Sequence, residues 1–80
     1  MPKLKLLSGK ELIRLLLLIG FEIENQKGSH VKLKRIISDE KQTLTIPNHP
    51  ELDKGTLKAI YRQASRYVPT EVLDEIFYTK

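Results

Sequence analysis

Residues 21–46 read FEIENQKGSHVKLKRIISDEKQTLTI, and this stretch decides the fold because its apolar residues alternate with polar ones. A period of two is typical of half-buried strands. Polar, turn-forming residues interrupt the pattern at 25–28 and 38–41, and Pro47 ends it because proline has no backbone N–H for a ladder. We therefore expect an antiparallel three-stranded sheet. The predicted strands span residues 21–24, 30–37 and 42–46.

The alternation assigns these side chains to two faces, because successive residues of a strand point to opposite sides. The predicted core face carries Phe21, Ile23, Val31, Leu33, Ile37, Leu44 and Ile46. The other face, which we call the polar sheet face, carries His30, Lys32, Lys34, Thr43 and Thr45.

A helical pattern precedes the strands. Ser8 and Glu11 have the spacing of a capping box, in which a serine and a glutamate satisfy the first free N–H groups of a helix. Gly20 is a typical helix stop. Leucine and isoleucine recur so densely over residues 12–19 that we expect this helix to be buried on most of its circumference.

Two more helices are predicted after the strands. Asp53 is a natural N-cap for a second, amphipathic helix that ends at Val68-Pro69, and Thr70 would cap a short third one. The order predicts one α+β domain over residues 1–80, in which a three-stranded antiparallel sheet packs on helices in the order α-β-β-β-α, plus a short C-terminal helix.

Composition limits the classes of function. The 80 residues include 14 Lys and Arg against 10 Asp and Glu, a net charge of +4 that permits an anionic partner. No cysteine is present, which excludes disulfides and cysteine-based zinc sites, and no acidic or histidine cluster has metal-ligand spacing. We therefore expect no metal and no cofactor. A small chain without disulfides favours a reducing cytoplasm, and the apolar run at residues 15–19 is too short to span a membrane. We therefore expect a cytoplasmic protein without a membrane partner.

His30 is the first candidate for chemistry. Lys32 and Lys34 follow it on the same strand face, and Gly28 precedes it in the turn. A histidine can take and return a proton near neutral pH, and lysines can stabilise the charge of a phosphate. The set would suffice to cleave RNA by attack of its own 2′-hydroxyl, without a metal. The alternative is a surface histidine leaving a turn beside a solvated strand face, and pattern alone favours that alternative.

His49 and a basic helix face are further candidates, each with a plain alternative. His49, within IPNHP, would be a general acid for the leaving 5′-oxygen, or a polar residue that hydrogen-bonds its own proline-rich turn. A basic stripe four residues apart would follow a nucleic-acid backbone, or form the solvated side of an amphipathic helix. The stripe consists of Lys54, Lys58, Arg62 and Arg66.

Four stretches resemble the HicA (YcfA-like) family of small bacterial and archaeal toxins. They are SGKELIRLL, GFEIENQKGSH, TIPNHPEL and KGTLKAIYRQA, and they occur in the family's order and spacing over most of residues 8–66. The resemblance implies a double-stranded-RNA-binding-domain-like fold and a metal-independent mRNA interferase. It also implies that His30 is the catalytic histidine of the G-S-H motif, in which Gly28 and Ser29 match directly, and that a HicB-type antitoxin covers this histidine.

We therefore interpret the chain as the toxin of a type II toxin–antitoxin pair, an endoribonuclease in which His30 acts as general base and then acid. Lys32 and Lys34 would hold the scissile phosphate. A non-catalytic module that binds double-stranded RNA is the main alternative, and a pure protein-interaction domain is another. The sequence leaves the oligomeric state open.

Overall fold

The computed structural model describes residues 2–79, which form three helices and three strands. In chain order these are α1 (Gly9–Leu18), β1 (Glu22–Lys27), β2 (His30–Ile37), β3 (Glu40–Pro47), α2 (Lys54–Ala64) and α3 (Thr70–Phe77). The strands form one antiparallel sheet in the order β1-β2-β3. The predicted α+β fold is confirmed. Among the described residues, no helix has the length and apolar character needed to cross a membrane.

Both hairpin turns are tighter than the sequence pattern indicated. Lys27 pairs with His30, so the first turn is Gly28-Ser29 rather than residues 25–28. Gly28 has φ +60°, as the first central residue of a type II′ turn requires, and glycine adopts this conformation without strain. The second turn is also two residues long, Ser38-Asp39, with φ values of 50° and 65°. β1 and β3 are therefore longer than predicted.

One hydrophobic core joins the sheet to the helices. Val31 and Leu33 of β2 pair with Ile46 and Leu44 of β3, and all four are buried as predicted. The largest fully buried side chains are Phe21, Phe77, Leu12, Leu16, Leu33, Leu44, Ile46, Leu57 and Leu73. The helices cover one side of the sheet, so the other side is left to the polar sheet face.

The core is narrower than predicted at the β1 side. Ile23 is 55% exposed and Ile37 is 48% exposed, so their placement in the core was wrong. α1 and α2 contact β3, which lies at the opposite edge from β1, and leave Ile23 uncovered. α1 also buries a single face rather than most of its circumference, since Leu17 and Leu18 are exposed.

The apolar core ends at Arg35, two residues before Ile37 on β2. Its side chain points to the core face, where its Nε donates to Gln42 Oε1 at 2.8 Å and its Nη1 donates to the Ile19 carbonyl at 3.0 Å. The guanidinium also stacks 4.7 Å above the Phe21 ring. A half-buried cation with these partners replaces an apolar residue, so the apolar core ends there.

The helix caps agree with the sequence in two cases out of three. Ser8 and Glu11 form the predicted capping box, and Asp53 accepts a hydrogen bond from the Thr56 N–H at 2.7 Å. The cap of α3 is Pro69 rather than Thr70, because Thr70 already lies in the helix and its hydroxyl donates to its neighbour Glu71 at 3.1 Å.

Candidate nucleic-acid interface

The first hairpin places His30 at the exposed end of the polar sheet face. His30 is the first residue of β2, and it lies between Lys27 of β1 and Pro47 of β3 in the strand register. Its side chain is exposed, and it follows the tight turn that Gly28 makes possible. The histidine is therefore open to a ligand on this face.

Ser29 connects this turn to the end of β3 and the three residues after it, which together we call the IPNHP segment (residues 46–50). The Asn48 N–H donates to the Ser29 carbonyl at 2.6 Å. In addition, Ser29 Oγ lies 3.3 Å from His49 Nε2. The two motifs that hold the chain's two histidines therefore meet at the same end of the sheet.

α1 supports the IPNHP segment from the other side. The Gly9 N–H donates to the His49 carbonyl at 2.9 Å. A Cβ at position 9 would clash with the Pro47 carbonyl oxygen and would lie 2.8 Å from the Asn48 Cα. Only glycine permits this close approach, so the first residue of α1 determines where the backbone of the segment lies.

An open cavity of about 330 Å³ adjoins His49. Its lining combines the start of α1 with the IPNHP segment: Ser8, Lys10, Asn48, His49 and Pro50. Lys10 is exposed, so a cation and a histidine share this concave surface.

Lys32 and Lys34 lie where the alternation placed them. They are opposite Thr45 and Thr43 of β3, on the same face as His30, and both are half-buried. Half-buried lysines commonly cover apolar surface with their aliphatic stems and keep the ammonium group in water, where an anion can reach it. Their place on the polar sheet face is confirmed, and their role remains a prediction.

Glu24 and Lys41 also lie on the polar sheet face, and the sequence interpretation missed them. Lys41 Nζ is 2.9 Å from Glu24 Oε1, in the one salt bridge among the residues that the structure describes. The hydrogen bond from Lys41 is the main cause that lowers the pKa of Glu24. The positive charges of Lys32 and Lys34 lower this pKa further, whereas desolvation opposes the shift.

The basic stripe is exposed but shorter than predicted. Lys54, Lys58 and Arg62 lie on α2, whereas Arg66 is exposed beyond the end of the helix at Ala64. The side chain of Gln63 accepts a hydrogen bond from the Thr45 N–H at 3.1 Å, which covers the edge of β3. This contact holds α2 alongside the edge of β3 at Thr45, the residue that pairs with Lys32 of β2.

No group of metal-binding side chains occurs within residues 2–79. A larger cavity, of about 570 Å³, contains none of the predicted site residues. It is lined by Pro2, Tyr61, Asp74, Glu75, Tyr78 and Thr79. The chain's three tyrosines are half-buried. Tyr61 and Tyr78 pack edge to face with each other, so they form no flat surface on which the bases of RNA would stack.

A comparison with protein-family models finds a match over residues 9–65, to the family described as the HicA toxin of bacterial toxin–antitoxin systems. The matched region is more than half of the 80 residues. The chain belongs to the HicA toxin family. A comparison with curated proteins found no match, and neither did a comparison with solved structures.

The region that matches the HicA family contains most of the candidate interface. The match begins at Gly9, the residue that packs against the IPNHP segment, and includes Ser29, His30 and all of α2. A toxin of a toxin–antitoxin system has an antitoxin partner. α3 lies outside the matched region, so the family comparison leaves its role open.

Proposed function

We propose that this HicA-family toxin is a metal-independent endoribonuclease, an mRNA interferase, in which His30 exchanges the proton of the reaction. The observation that carries the proposal is the placement of His30. It is exposed beside a tight turn, it shares a face with two half-buried lysines, and its neighbour Ser29 contacts a second histidine.

The proposed reaction begins at the 2′-hydroxyl of RNA. A ring nitrogen of His30 takes the hydroxyl proton while the 2′-oxygen attacks the adjacent phosphorus. The bond from phosphorus to the 5′-oxygen then breaks, which leaves a 2′,3′-cyclic phosphate and a 5′-hydroxyl. His30 returns its proton when water later opens the cyclic phosphate.

Lys32 and Lys34 are proposed to stabilise the phosphate during attack. Negative charge accumulates on the phosphorus oxygens in the transition state, and fixed cations lower the energy of that state more than that of the substrate. The half-buried lysine stems favour such a fixed position. Lys54, Lys58 and Arg62 are exposed on α2 and would bind phosphates farther along the strand.

His49 is proposed as the general acid for the leaving 5′-oxygen. Its support is the 3.3 Å contact with Ser29, which links it to the residue next to His30. An exposed histidine at this end of the sheet is able to donate a proton to the leaving 5′-oxygen of a phosphate that Lys32 and Lys34 hold in place.

The antitoxin of this pair is proposed to be of the HicB type and to cover His30. Blocking an exposed histidine and the surrounding cations would stop RNA from binding. The cytoplasm, where the transcripts are, is the proposed site of action. The rival function is that of a non-catalytic module that binds double-stranded RNA. It predicts salt-sensitive RNA binding without cleavage.

The experiment compares wild type with His30→Ala, both purified without antitoxin, on a cellular mRNA in the presence of EDTA. We expect wild type to cleave and His30→Ala to bind without cleaving. Equal cleavage by both proteins would contradict the role of His30, and intact RNA with both would favour the binding module. Loss of wild-type cleavage in EDTA would contradict a metal-independent reaction.

A further inference from the structure

Glu24 lies on a surface where the proposed function needs positive charge. The carboxylate shares the polar sheet face with Lys32, Lys34 and Lys41. A carboxylate repels the phosphates of RNA, so its presence here calls for an explanation.

Glu24 lies at a β-bulge on this surface. The pairing of β1 with β2 passes from Ile23 opposite Leu33 to Asn25 opposite Lys32, so Glu24 is the extra residue. Alternation along β1 from Glu22, which lies opposite Lys34, places Glu24 on the same face. Lys41 belongs to β3, two strands away, so the Glu24–Lys41 ion pair crosses over β2, the strand that carries His30.

The contacts of Glu24 are incomplete. Oε1 accepts from Lys41 at 2.9 Å, whereas Oε2 is buried and has no hydrogen-bond partner within residues 2–79. The side chain of Lys41 is 49% exposed, and water and salt screen an ion pair with that exposure. The pair is therefore held weakly enough for a competing anion to separate it.

The electrostatic effect of Glu24 is reciprocal. The charges of Lys32 and Lys34 stabilise the ionised carboxylate, and the same carboxylate must lower the positive potential at both lysines. Removing the negative charge would therefore strengthen binding of an anion at all three cations of this face.

We propose that Glu24 competes with the phosphates of RNA for Lys41. Lys41 is a phosphate-binding residue that stays paired with Glu24 until an RNA phosphate displaces the carboxylate. The identity of the ligand as RNA rests on the proposed function. The competition lowers the affinity for RNA, because a phosphate reaches Lys41 only when the Glu24–Lys41 ion pair separates.

The experiment measures the dissociation constant of a single-stranded RNA oligonucleotide at low and high salt, with every protein in the His30→Ala background so that the RNA stays intact. We expect Glu24→Gln to bind about three- to tenfold more tightly at low salt, and the gain to shrink as salt screens the charges. Glu71→Gln on α3 makes the same change in net charge away from the sheet and serves as the matched control.

Lys41→Gln tests the second half of the proposal. We expect it to weaken RNA binding more in the Glu24→Gln background than with Glu24 present, because only the first background frees Lys41 for a phosphate. The proposal is overturned if Glu24→Gln binds no more tightly than Glu71→Gln, or if Lys41→Gln has the same effect in both backgrounds.

A parallel cleavage assay with His30 intact separates this proposal from the ribonuclease proposal. If wild type binds RNA and leaves it uncut, the ribonuclease proposal fails. The expected gain from Glu24→Gln would still support Glu24 as the competitor on an RNA-binding surface.

Discussion

Ser29 Oγ lies 3.3 Å from His49 Nε2, while the Ser29 backbone continues directly into His30. One small residue therefore touches both histidines of the chain, one through its side chain and the other through its peptide bond. The contact brings the G-S-H motif and the IPNHP segment together on one surface.

The backbone of the IPNHP segment depends on Gly9. Gly9→Ala introduces a Cβ that clashes with Pro47, so we expect overpacking to cost about 1–3 kcal/mol of unfolding free energy. His49 would also move away from Ser29, and cleavage would fall with His30 unchanged. Urea unfolding and a cleavage assay measure the two effects.

Gly55→Ala is the matched control for Gly9→Ala. The new Cβ would meet Asp53 Oδ1 at 3.5 Å, an ordinary contact, in the first turn of α2. Because alanine is a better helix former than glycine, we expect no loss of stability, and a gain of up to about 1 kcal/mol. Equal effects of the two substitutions would contradict the special role of Gly9.

The role of His49 is tested by the leaving group. His49→Gln should slow cleavage of ordinary RNA by about 100-fold, the low end for a general acid. A substrate with a sulfur leaving group in place of the 5′-oxygen needs no proton from a general acid.

That sulfur substrate distinguishes a general acid from a structural residue. We expect His49→Gln and wild type to cleave it at similar rates. If His49→Gln remains slow with this substrate, the histidine supports the segment instead of donating a proton.

The lysines of the interface are tested by salt dependence. Removing one phosphate contact, as in Lys32→Gln or Lys58→Gln, should weaken RNA binding and reduce the slope of log affinity against log salt by about 1. Lys3→Gln in the exposed N-terminal segment changes the net charge equally and should leave the slope near wild type. A loss of slope with Lys3→Gln would mean that net charge, rather than this surface, attracts RNA.

Stability at alkaline pH depends on Tyr61. Its hydroxyl donates to Asp74 Oδ1 at 2.7 Å, and this hydrogen bond is the main cause that raises the pKa of Tyr61 to about 12. Because the folded-state pKa exceeds the unfolded value of 10, the contribution is complete below pH 10. It is lost as the pH rises through about 12.

Tyr61→Phe should therefore destabilise the protein at pH 7. It should also remove the part of the loss of stability at alkaline pH that ionisation of Tyr61 causes. Urea unfolding at several pH values measures it, with Tyr67→Phe as a control that keeps the Tyr61–Asp74 hydrogen bond. An unchanged alkaline profile in Tyr61→Phe would contradict the assignment.

Local patterns predicted the elements of this fold well. The Ser8 capping box and the alternation of Val31 and Leu33 with lysines each depend on residues close in sequence. Their physical causes are hydrogen bonds and backbone angles within a few residues, so the sequence was enough to predict them.

The errors occurred where distant residues decide the outcome. Ile23 and Ile37 alternate correctly for a core face, but the helices do not extend over them. Arg35 lies on the core face of β2, yet it finds its partners outside that strand, at Gln42 and at the Ile19 carbonyl. Periodicity alone carries no information about which element lies above a strand.

The site was predicted in part for the same reason. The turn and the alternation placed His30, Lys32 and Lys34 together on one face. The contact of Ser29 with His49 and the pair between Glu24 and Lys41 join residues that are 20 and 17 positions apart in sequence, so no short motif reveals them.

The central claim is that His30 activates the 2′-hydroxyl of RNA. The most direct measurement is single-turnover cleavage by wild type of a defined RNA and of the same RNA with one 2′-deoxy sugar at the cut site. We predict a cut that leaves a 2′,3′-cyclic phosphate and a 5′-hydroxyl in the first RNA, and no cut at that position in the second. Cleavage of the 2′-deoxy position, or a 5′-phosphate on the product, would contradict the account.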